Sequence, residues 1–258
     1  MTLLKIMDLI AMPAMAADPH LTANDARVYI HLRSHPSTSL RESAAALKMP
    51  RETFRRSVRS LLEHGWAYKG AGVAGSPVVV VAWMPAEVEL RVAAELETVR
   101  NEVVNAGEWL MKNILDMVIG DPDFHDNARP SWLASTDGGG RFEMDRWYRR
   151  LKLVVEFHGP QHFSISIYTP TDEELSQQVM RDDAKTGMCA REGITLIEIT
   201  TADLSHVEIV KKLSGIVPVL PVKKDGAVFQ TLRKLCKGYM ARATKEEKKR
   251  RAQQRGGA

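Results

Sequence analysis

Apolar residues in the first part of the chain recur at helical spacing, which predicts a series of short helices. Val28 and Leu32 share one face of a helix that we expect to begin at Asn24 or Asp25. A serine followed three residues later by a glutamate, the capping-box spacing, opens a second helix at Ser39. A third predicted helix is followed by two apolar runs with Gly-rich residues between them, so the pattern is three helices and then a β-hairpin.

The third of these helices, predicted over residues 51–63, separates basic from apolar positions. Arg51, Arg55 and Arg59 recur every four residues and share one face, and Arg56 lies beside them. A stripe of arginines suits a helix that contacts phosphates and base edges, whereas the alternative is a solvated face on a helix that only packs or dimerises. Three helices followed by a hairpin resemble the winged helix-turn-helix family, which implies DNA binding through the third helix.

The second half of the chain predicts an α/β domain. Residues 86–118 are helical with one break, and residues 120–140 are rich in loop-forming Gly, Pro and Asp. Strands are predicted over 141–147 and 151–157, and a helix then leads to another strand near 193–199. The expected fold class of this part is therefore α/β, preceded by a smaller α+β region.

Positive charge is concentrated near the end of the chain. The formal net charge is +4, and residues 242–255 alone carry a larger excess, centred on the run Lys248, Lys249, Arg250 and Arg251. A basic tail can follow phosphate backbones without reading sequence, so DNA is the expected partner. The alternative is a solvated helix end.

Cysteine content and apolar run length favour a cytoplasmic protein. Cys189 and Cys236 are too few for a disulfide framework or a thiolate zinc site. The first residues resemble a secretion signal, but Asp8 interrupts the apolar run, so we do not expect a cleaved signal. No stretch approaches the apolar length of a membrane span, so we expect no membrane partner.

Asp145 and Glu156 lie near the ends of two consecutive predicted strands of the second half. If these strands are neighbours, Asp145 and Glu156 meet at one edge of the sheet, where carboxylates are costly unless they are paired or bind a metal. Two converging oxygen ligands suit Mg²⁺, which can polarise a phosphate and lower the pKa of an attacking water. The alternatives pair Asp145 with Arg141 or Arg146, and Glu156 with Lys152.

Further polar motifs follow these acids in a defined order. The series consists of Asp145, Glu156 eleven residues later, Gly159-x-Gln161-His162, Arg181-Asp182-Asp183-Ala184-Lys185 and Gly193-Ile194-Thr195-Leu196-Ile197-Glu198-Ile199. It resembles the PD-(D/E)XK, or restriction-endonuclease-like, nuclease superfamily. The closest pattern is that of the branch containing phage- and mobile-element-encoded endonucleases and relatives of very-short-patch repair nucleases. The resemblance covers about residues 106–200 and implies a mixed-sheet nuclease domain.

The resemblance implies a role for each matching residue. Asp145 and Glu156 would bind Mg²⁺ or Mn²⁺, and the backbone carbonyl of Phe157 would be a third ligand. His162 would act as general base or leaving-group acid, and Gln161 would orient water or phosphate. The remaining implied site residues are Lys185, which would stabilise charge on the phosphate, Asp182 one turn before it, and Glu108 as an additional acid.

One position departs from the family pattern. The usual lysine two residues after the second carboxylate is replaced by His158. Either His158, His162 or Lys185 takes over its role, or the domain is a weakened relative. The expected organisation is a winged-helix domain over 1–85, a helical connector over 86–105, a restriction-endonuclease-like nuclease domain over 106–220 and a basic C-terminal helix or tail over 221–258.

The expected function is a Mg²⁺- or Mn²⁺-dependent endonuclease that a winged helix places on DNA. Two alternatives stay open. The first is a non-catalytic DNA-binding regulator whose nuclease-like domain is degenerate, and the second is a transposon or recombination nuclease subunit. A double-strand cut by one active site per chain calls for two copies, so the expected assemblies are a homodimer or a complex with a partner recombination protein.

Overall fold

The computed structural model describes residues 1–36, 38–71, 79–134, 140–159 and 172–256, with the backbone alone for residues 172–179 and 247–256. The chain divides into two compact units. Unit 1 consists of Met1–Val104, Asn113–Pro122 and Leu213–Leu235, and unit 2 consists of Asn105–Lys112, Asp123–Lys212 and Cys236–Ala258. These boundaries differ from the predicted domains, because residues 86–104 of the predicted connector and residues 213–235 belong to unit 1.

The elements of the first part of unit 1 follow the predicted order. They are α2 (Ala23–Ser34), α3 (Leu40–Ala46), α4 (Arg51–Glu63), β1 (Ala67–Gly70) and β2 (Val79–Ala82). The two strands pair antiparallel, with Ala67 opposite Ala82. The prediction of three helices followed by a hairpin is therefore confirmed.

Local caps determine where these helices begin. The predicted start of α2 at Asn24 or Asp25 is wrong, because Thr22 is the N-cap. Its side chain accepts a hydrogen bond from the Asp25 backbone N–H, and the Asp25 carboxylate accepts one from the Thr22 backbone N–H. The predicted capping box of Ser39 with Glu42 is present at the start of α3.

Two further helices pack in unit 1. They are α1 (Leu3–Ala16), which sequence analysis did not predict, and α5 (Ala86–Glu102), which occupies most of the predicted connector. Leu3 and Ile6 of α1 are fully buried, as are Val92 and Leu96 of α5. The Asp116 carboxylate accepts a hydrogen bond from the Leu4 backbone N–H at 3.0 Å and so satisfies a donor in the first turn of α1.

The rest of the chain alternates helices and strands. The elements are α6 (Ala106–Val118), β3 (Phe124–Ala128), β4 (Met144–Tyr148), β5 (Leu153–His158), α7 (Asp172–Arg191), β6 (Thr195–Thr200), α8 (His206–Leu213) and α9 (Ala227–Gly256). The strands of unit 2 form one sheet in the order β3-β4-β5-β6. Because β3, β4 and β5 pair antiparallel and β5 pairs parallel with β6, the sheet is mixed and the α/β class is confirmed.

The strand bounds differ from the predicted ones in three places. Strand β3 lies in the segment predicted as loop. It was not predicted because its sequence, Phe-His-Asp-Asn-Ala, has no apolar run, and in the sheet it pairs with a single neighbour at the edge. Strand β4 begins at Met144, since Arg141 instead forms an isolated bridge with Ala134. Strand β5 begins at Leu153, because the preceding Lys152 adopts a left-handed turn conformation with φ of 47°.

The core of unit 2 lies between the sheet and α7. Leu133, Met144, Val154 and Cys189 form a buried cluster, and Cys189 belongs to α7. This packing places the preceding turn of α7 beside β5. Among the helices of the described chain, none has both the length and the apolar character needed to cross a membrane.

Candidate active site

Strands β4 and β5 bring Asp145 and Glu156 side by side. The antiparallel register pairs Arg146 with Val155, and one step further along it Asp145 lies across from Glu156. The Asp145 backbone N–H donates to Oε1 of Glu156 at 3.3 Å. The Phe157 backbone N–H donates to Oδ2 of Asp145 at 2.6 Å. The two predicted acids are therefore neighbours, and each carboxylate contacts the backbone of the other strand.

Helix α7 places a lysine side chain against this pair of acids. Lys185 lies one turn before the buried Cys189, and its Nζ is 2.6 Å from Oε2 of Glu156. The side chains of Lys185 and Glu156 are only 13% and 7% exposed. The alternative pairing of Glu156 with Lys152 is wrong, because Glu156 pairs with Lys185. A largely buried ion pair of this kind restricts both side chains to one geometry.

Burial raises the pKa of both carboxyl groups. Burial, with a smaller contribution from the charge of Glu108, raises the pKa of Asp145 to about 6, although the hydrogen bond from Phe157 opposes this rise. Desolvation raises the pKa of Glu156 to about 7, and the charge of Asp145 contributes in the same direction, whereas Lys185 opposes both effects. Two adjacent carboxylates that resist ionisation are a favourable place for a divalent cation, which can replace the protons they otherwise hold.

Helix α6 brings a third acid and a second lysine toward Asp145. Nζ of Lys112 is 2.5 Å from Oε1 of Glu108 and 2.9 Å from Oδ1 of Asn127. Glu108 is close enough to raise the pKa of Asp145, and Lys112 is close enough to lower it. Sequence analysis identified Glu108 but not Lys112, whose position one turn later on the same helix face was the available signal.

Arg146, next to Asp145 in the chain, is fully buried and has another acid as its partner. Its Nε and Nη2 donate to the two carboxylate oxygens of Asp126 at 2.7 and 3.1 Å. Its guanidinium also lies over the ring of Phe124, 3.9 Å from the centroid. Asp126 therefore neutralises the charge of Arg146. The sequence offered Arg146 as an alternative partner for Asp145, but in the structure this arginine pairs with Asp126.

Strand β6 adds one acid that sequence analysis did not assign. The parallel register places Glu198 opposite Glu156, and Oε2 of Glu198 is 3.8 Å from Nδ1 of the buried His158. Residues paired across neighbouring strands share a face of the sheet, so Glu198, Glu156 and His158 face the same side. The signal in the sequence was a single acid in the otherwise apolar run of β6.

The remaining predicted site residues divide into two groups. Asp182 is half-buried on α7, three residues before Lys185, and its backbone carbonyl accepts a hydrogen bond from the Thr186 hydroxyl. Gln161 and His162 lie outside the residues that the structure describes. Their predicted roles stay predictions.

The donor set of the Asp145–Glu156 pair fits a hard divalent cation. Mg²⁺ keeps several waters and is commonly held by one or two carboxylates together with substrate phosphate oxygens. Across the described ranges, no group of three or more His, Cys, Asp or Glu side chains is arranged to hold a metal ion. Two carboxylates and a backbone carbonyl, the set expected from the sequence, would therefore leave positions for water and phosphate.

The basic residues of α4 lie on an open surface of unit 1. Arg51, Arg55, Arg56 and Arg59 are all exposed. Phe54, Val58 and Leu61 on the same helix are buried, so the predicted separation of basic and apolar faces is confirmed. The predicted basic residues of the tail, Lys248, Lys249, Arg250 and Arg251, belong to α9, but the structure describes only their backbone.

Two viral proteins are similar to part of this chain. Uncharacterized protein 307L of Invertebrate iridescent virus 6 is 34% identical over 86 residues, which cover 31% of this chain and 44% of the viral protein. Uncharacterized protein 033L of Invertebrate iridescent virus 3 is 33% identical over 82 residues, which cover 31% of this chain and 42% of that protein. The chain thus spans less than half the length of these relatives. No protein-family model matches the chain, and no solved structure matches it significantly.

Proposed function

We propose that this chain is a metal-dependent endonuclease that hydrolyses phosphodiester bonds in DNA with Mg²⁺ or Mn²⁺. One observation carries the proposal, namely the pairing of Asp145 and Glu156 across neighbouring strands with Lys185 on Glu156. The motif order that resembles PD-(D/E)XK nucleases supports it, because the acids of that pattern are the ones that the sheet brings together.

Each residue of the site would have a defined task. A divalent cation, when bound, would polarise the phosphate and lower the pKa of an attacking water. Asp145 and Glu156 would hold it, and the carbonyl of Phe157, whose N–H already contacts Asp145, would complete the protein ligands. Lys185 would stabilise negative charge on the phosphate, since its ammonium group already lies against Glu156.

The other candidate residues would assist this chemistry. His158, held near Glu198, would stand in for the missing family lysine as a positively charged or hydrogen-bonding group beside the phosphate. Glu108 would strengthen the negative potential that attracts the cation. Gln161 would orient water or phosphate, and His162 would move the proton of the attacking water or the leaving group.

Unit 1 would place the enzyme on DNA as a winged helix. Four exposed arginines on α4 offer the contacts that a helix needs in the major groove, and the basic residues of α9 would add affinity that does not depend on sequence. In this proposal the three helices and the hairpin form the DNA-binding domain, and the mixed sheet forms a restriction-endonuclease-like domain.

Asp145→Asn and Glu156→Gln are the decisive substitutions for the proposed reaction. Both keep the side-chain size and remove a ligand charge, so we expect at least a 100-fold loss of Mn²⁺-dependent cleavage of plasmid DNA, with DNA affinity in EDTA unchanged. Asp183→Asn, at an exposed acid of α7, is the matched control and should cut like the wild type. Full cleavage by either site variant would refute the assignment.

A non-catalytic DNA-binding regulator is the second candidate. It is favoured by the absence, within the described ranges, of a three-residue metal-binding group. A regulator of this kind would bind DNA through α4 but would neither nick it nor gain thermal stability with Mn²⁺. Cleavage that requires a second protein would instead identify the chain as the nuclease subunit of a recombination complex.

A further inference from the structure

Lys112 has a buried ammonium group with several oxygen partners. Its side chain is 7% exposed and its Nζ contacts Glu108 and Asn127, with Asp126 at 3.9 Å. Burying a lysine is unfavourable unless its charge is matched. The Lys112 carbonyl also accepts a hydrogen bond from Nη1 of the buried Arg146 at 2.9 Å. Lys112 therefore joins α6 to β3 and β4.

The beginning of α6 packs directly on the strand that carries Glu156. A Cβ atom added to Gly107 would lie 2.2 Å from the ring of Phe157 and 2.7 Å from the Tyr239 hydroxyl, so a larger residue would force these side chains or the helix to move. Gly107 precedes Glu108 in the chain, and the N–H of Phe157 binds Asp145. Close packing here thus sets the separation between the first turn of α6 and the acid pair.

Asn127, which accepts a hydrogen bond from Lys112, has an unusual backbone conformation. Its φ is 55°, a left-handed value that asparagine tolerates better than other residues with a side chain, although it interrupts the regular geometry of β3. Its side-chain amide accepts from Lys112 and donates to Glu143 at 2.7 Å. The acceptor that β3 offers to Lys112 is therefore the side-chain oxygen of Asn127, on a residue whose backbone departs from strand geometry.

We propose that Lys112 is a positioning residue that holds Glu108 beside Asp145, where the charge of Glu108 strengthens the negative potential of the cation site. This inference rests on the proposed function and deepens it. Lys112 contacts no reacting atom in this account and acts only through Glu108. The contacts with Asn127 and Asp126 hold the ammonium group of Lys112 in place. The ammonium group in turn holds the carboxylate of Glu108.

A positioning role and a simple charge effect of Lys112 predict opposite results. If Lys112 acted only through its positive charge, removing it would make the site more negative and would tighten the binding of Mn²⁺. If Lys112 positions Glu108, removing it releases that carboxylate and weakens the binding. Residues that orient the groups around a metal typically change its affinity 10- to 100-fold.

The test is a double-mutant cycle on Mn²⁺ affinity, measured by calorimetry on the full chain without DNA. Lys112→Met and Glu108→Gln should each weaken Mn²⁺ binding about 10-fold, and the double variant should be no weaker than either single variant. The matched control is Lys211→Met, whose side chain on α8 is 77% exposed and which should bind like the wild type.

Each outcome of this cycle has one meaning. Unchanged or tighter Mn²⁺ binding by Lys112→Met, or losses that multiply in the double variant, would overturn the positioning role while leaving the proposed nuclease standing. Failure of the wild type to bind Mn²⁺ would overturn both. If Lys112→Met does not fold, Asn127→Gly replaces it, because glycine keeps the left-handed backbone and removes the acceptor for Lys112. This variant should also weaken Mn²⁺ binding, and unchanged affinity would contradict the inference.

Discussion

Replacing Asp145 by asparagine should stabilise the metal-free protein at alkaline pH even though it removes the function. Asparagine keeps an oxygen that can accept the hydrogen bond from Phe157, and it removes a buried negative charge next to Glu156. The pKa of Asp145 is raised mainly by burial, so the folded protein holds its proton more tightly than the unfolded chain does. The stability from this group is therefore complete below about pH 4 and is lost as the pH rises through about 6.

The size of the effect follows from the same pKa. A rise from 3.8 to about 6 corresponds to about 3 kcal/mol of unfolding free energy, at about 1.4 kcal/mol for each tenfold change in proton affinity. Solvent that reaches the half-buried Asp145 screens part of this, so we expect about 1 to 2 kcal/mol. Near pH 4.5 the carboxyl is still neutral in the folded protein and only the first part of this stability is lost, so the two proteins should differ much less than at pH 8.

The assay is urea unfolding of the wild type and of Asp145→Asn at pH 4.5, 6 and 8, in EDTA and again in Mn²⁺. In EDTA the unfolding free energy of the variant should rise relative to the wild type between pH 4.5 and 8. In Mn²⁺ at pH 8 the order should reverse, because a ligand at 100 times its dissociation constant adds about 2.7 kcal/mol to the protein that binds it.

Two results would contradict this role of Asp145. A stability difference that does not change with pH would show that the charge of Asp145 does not destabilise the folded protein. Equal stabilisation of both proteins by Mn²⁺ would show that the cation binds elsewhere. Asp183→Asn, at an exposed acid, is the control and should follow the wild type under every condition.

Three further substitutions test other parts of the structure. Gly107→Ala should lower Mn²⁺-dependent cleavage at least 10-fold, because its Cβ would collide with the ring of Phe157 and push α6 away from the acids. Asp126→Asn should reduce the unfolding free energy by about 3 kcal/mol, measured in urea, since it leaves the fully buried Arg146 without a matching charge. Arg55→Ala on α4 should weaken DNA binding and reduce the salt dependence of the dissociation constant by about one counterion.

These expectations can each fail independently. Gly107→Ala with wild-type cleavage would mean that α6 tolerates a shift, and the neighbouring Ala106→Gly is its control. An Asp126→Asn protein as stable as the wild type would mean that hydrogen bonds to backbone carbonyl groups are enough to stabilise the buried charge of Arg146. An unchanged salt slope for Arg55→Ala, with Lys211→Met measured alongside, would remove α4 from the DNA interface.

Local signals were sufficient for much of unit 1. Helix α4 runs from Arg51 to Glu63 as predicted, because its apolar residues recur at helical spacing and Gly65 follows with a φ of 75° that ends the helix. The beginning of α2 was misplaced for an equally local reason. Thr22 caps the helix and Asp25 is the other half of its capping box, so the helix begins before Asn24.

Long-range contacts explain what the sequence could not predict. The first turn of α1 depends on Asp116, more than a hundred residues away, and no local pattern encodes that hydrogen bond. Strand β3 has a polar sequence and is a strand only because it pairs with β4.

The acid pair of the site was predictable because Asp145 and Glu156 lie on neighbouring strands joined by a short turn. Lys112 and Glu198 were missed because a position on a helix face or in a strand does not by itself identify the side chains that the residue contacts in the folded protein.

The decisive test of the cation site is Mn²⁺ binding by the wild type and by Glu156→Gln, measured by calorimetry at pH 6 and pH 8. We expect the wild type to bind one Mn²⁺ more tightly at pH 8, because burial raises the pKa of Glu156 to about 7 and the proton must leave before the cation binds. Glu156→Gln should bind at least 100-fold more weakly at pH 8. Equal binding by the two proteins, or binding by the wild type that does not change with pH, would contradict a cation site built on Asp145 and Glu156.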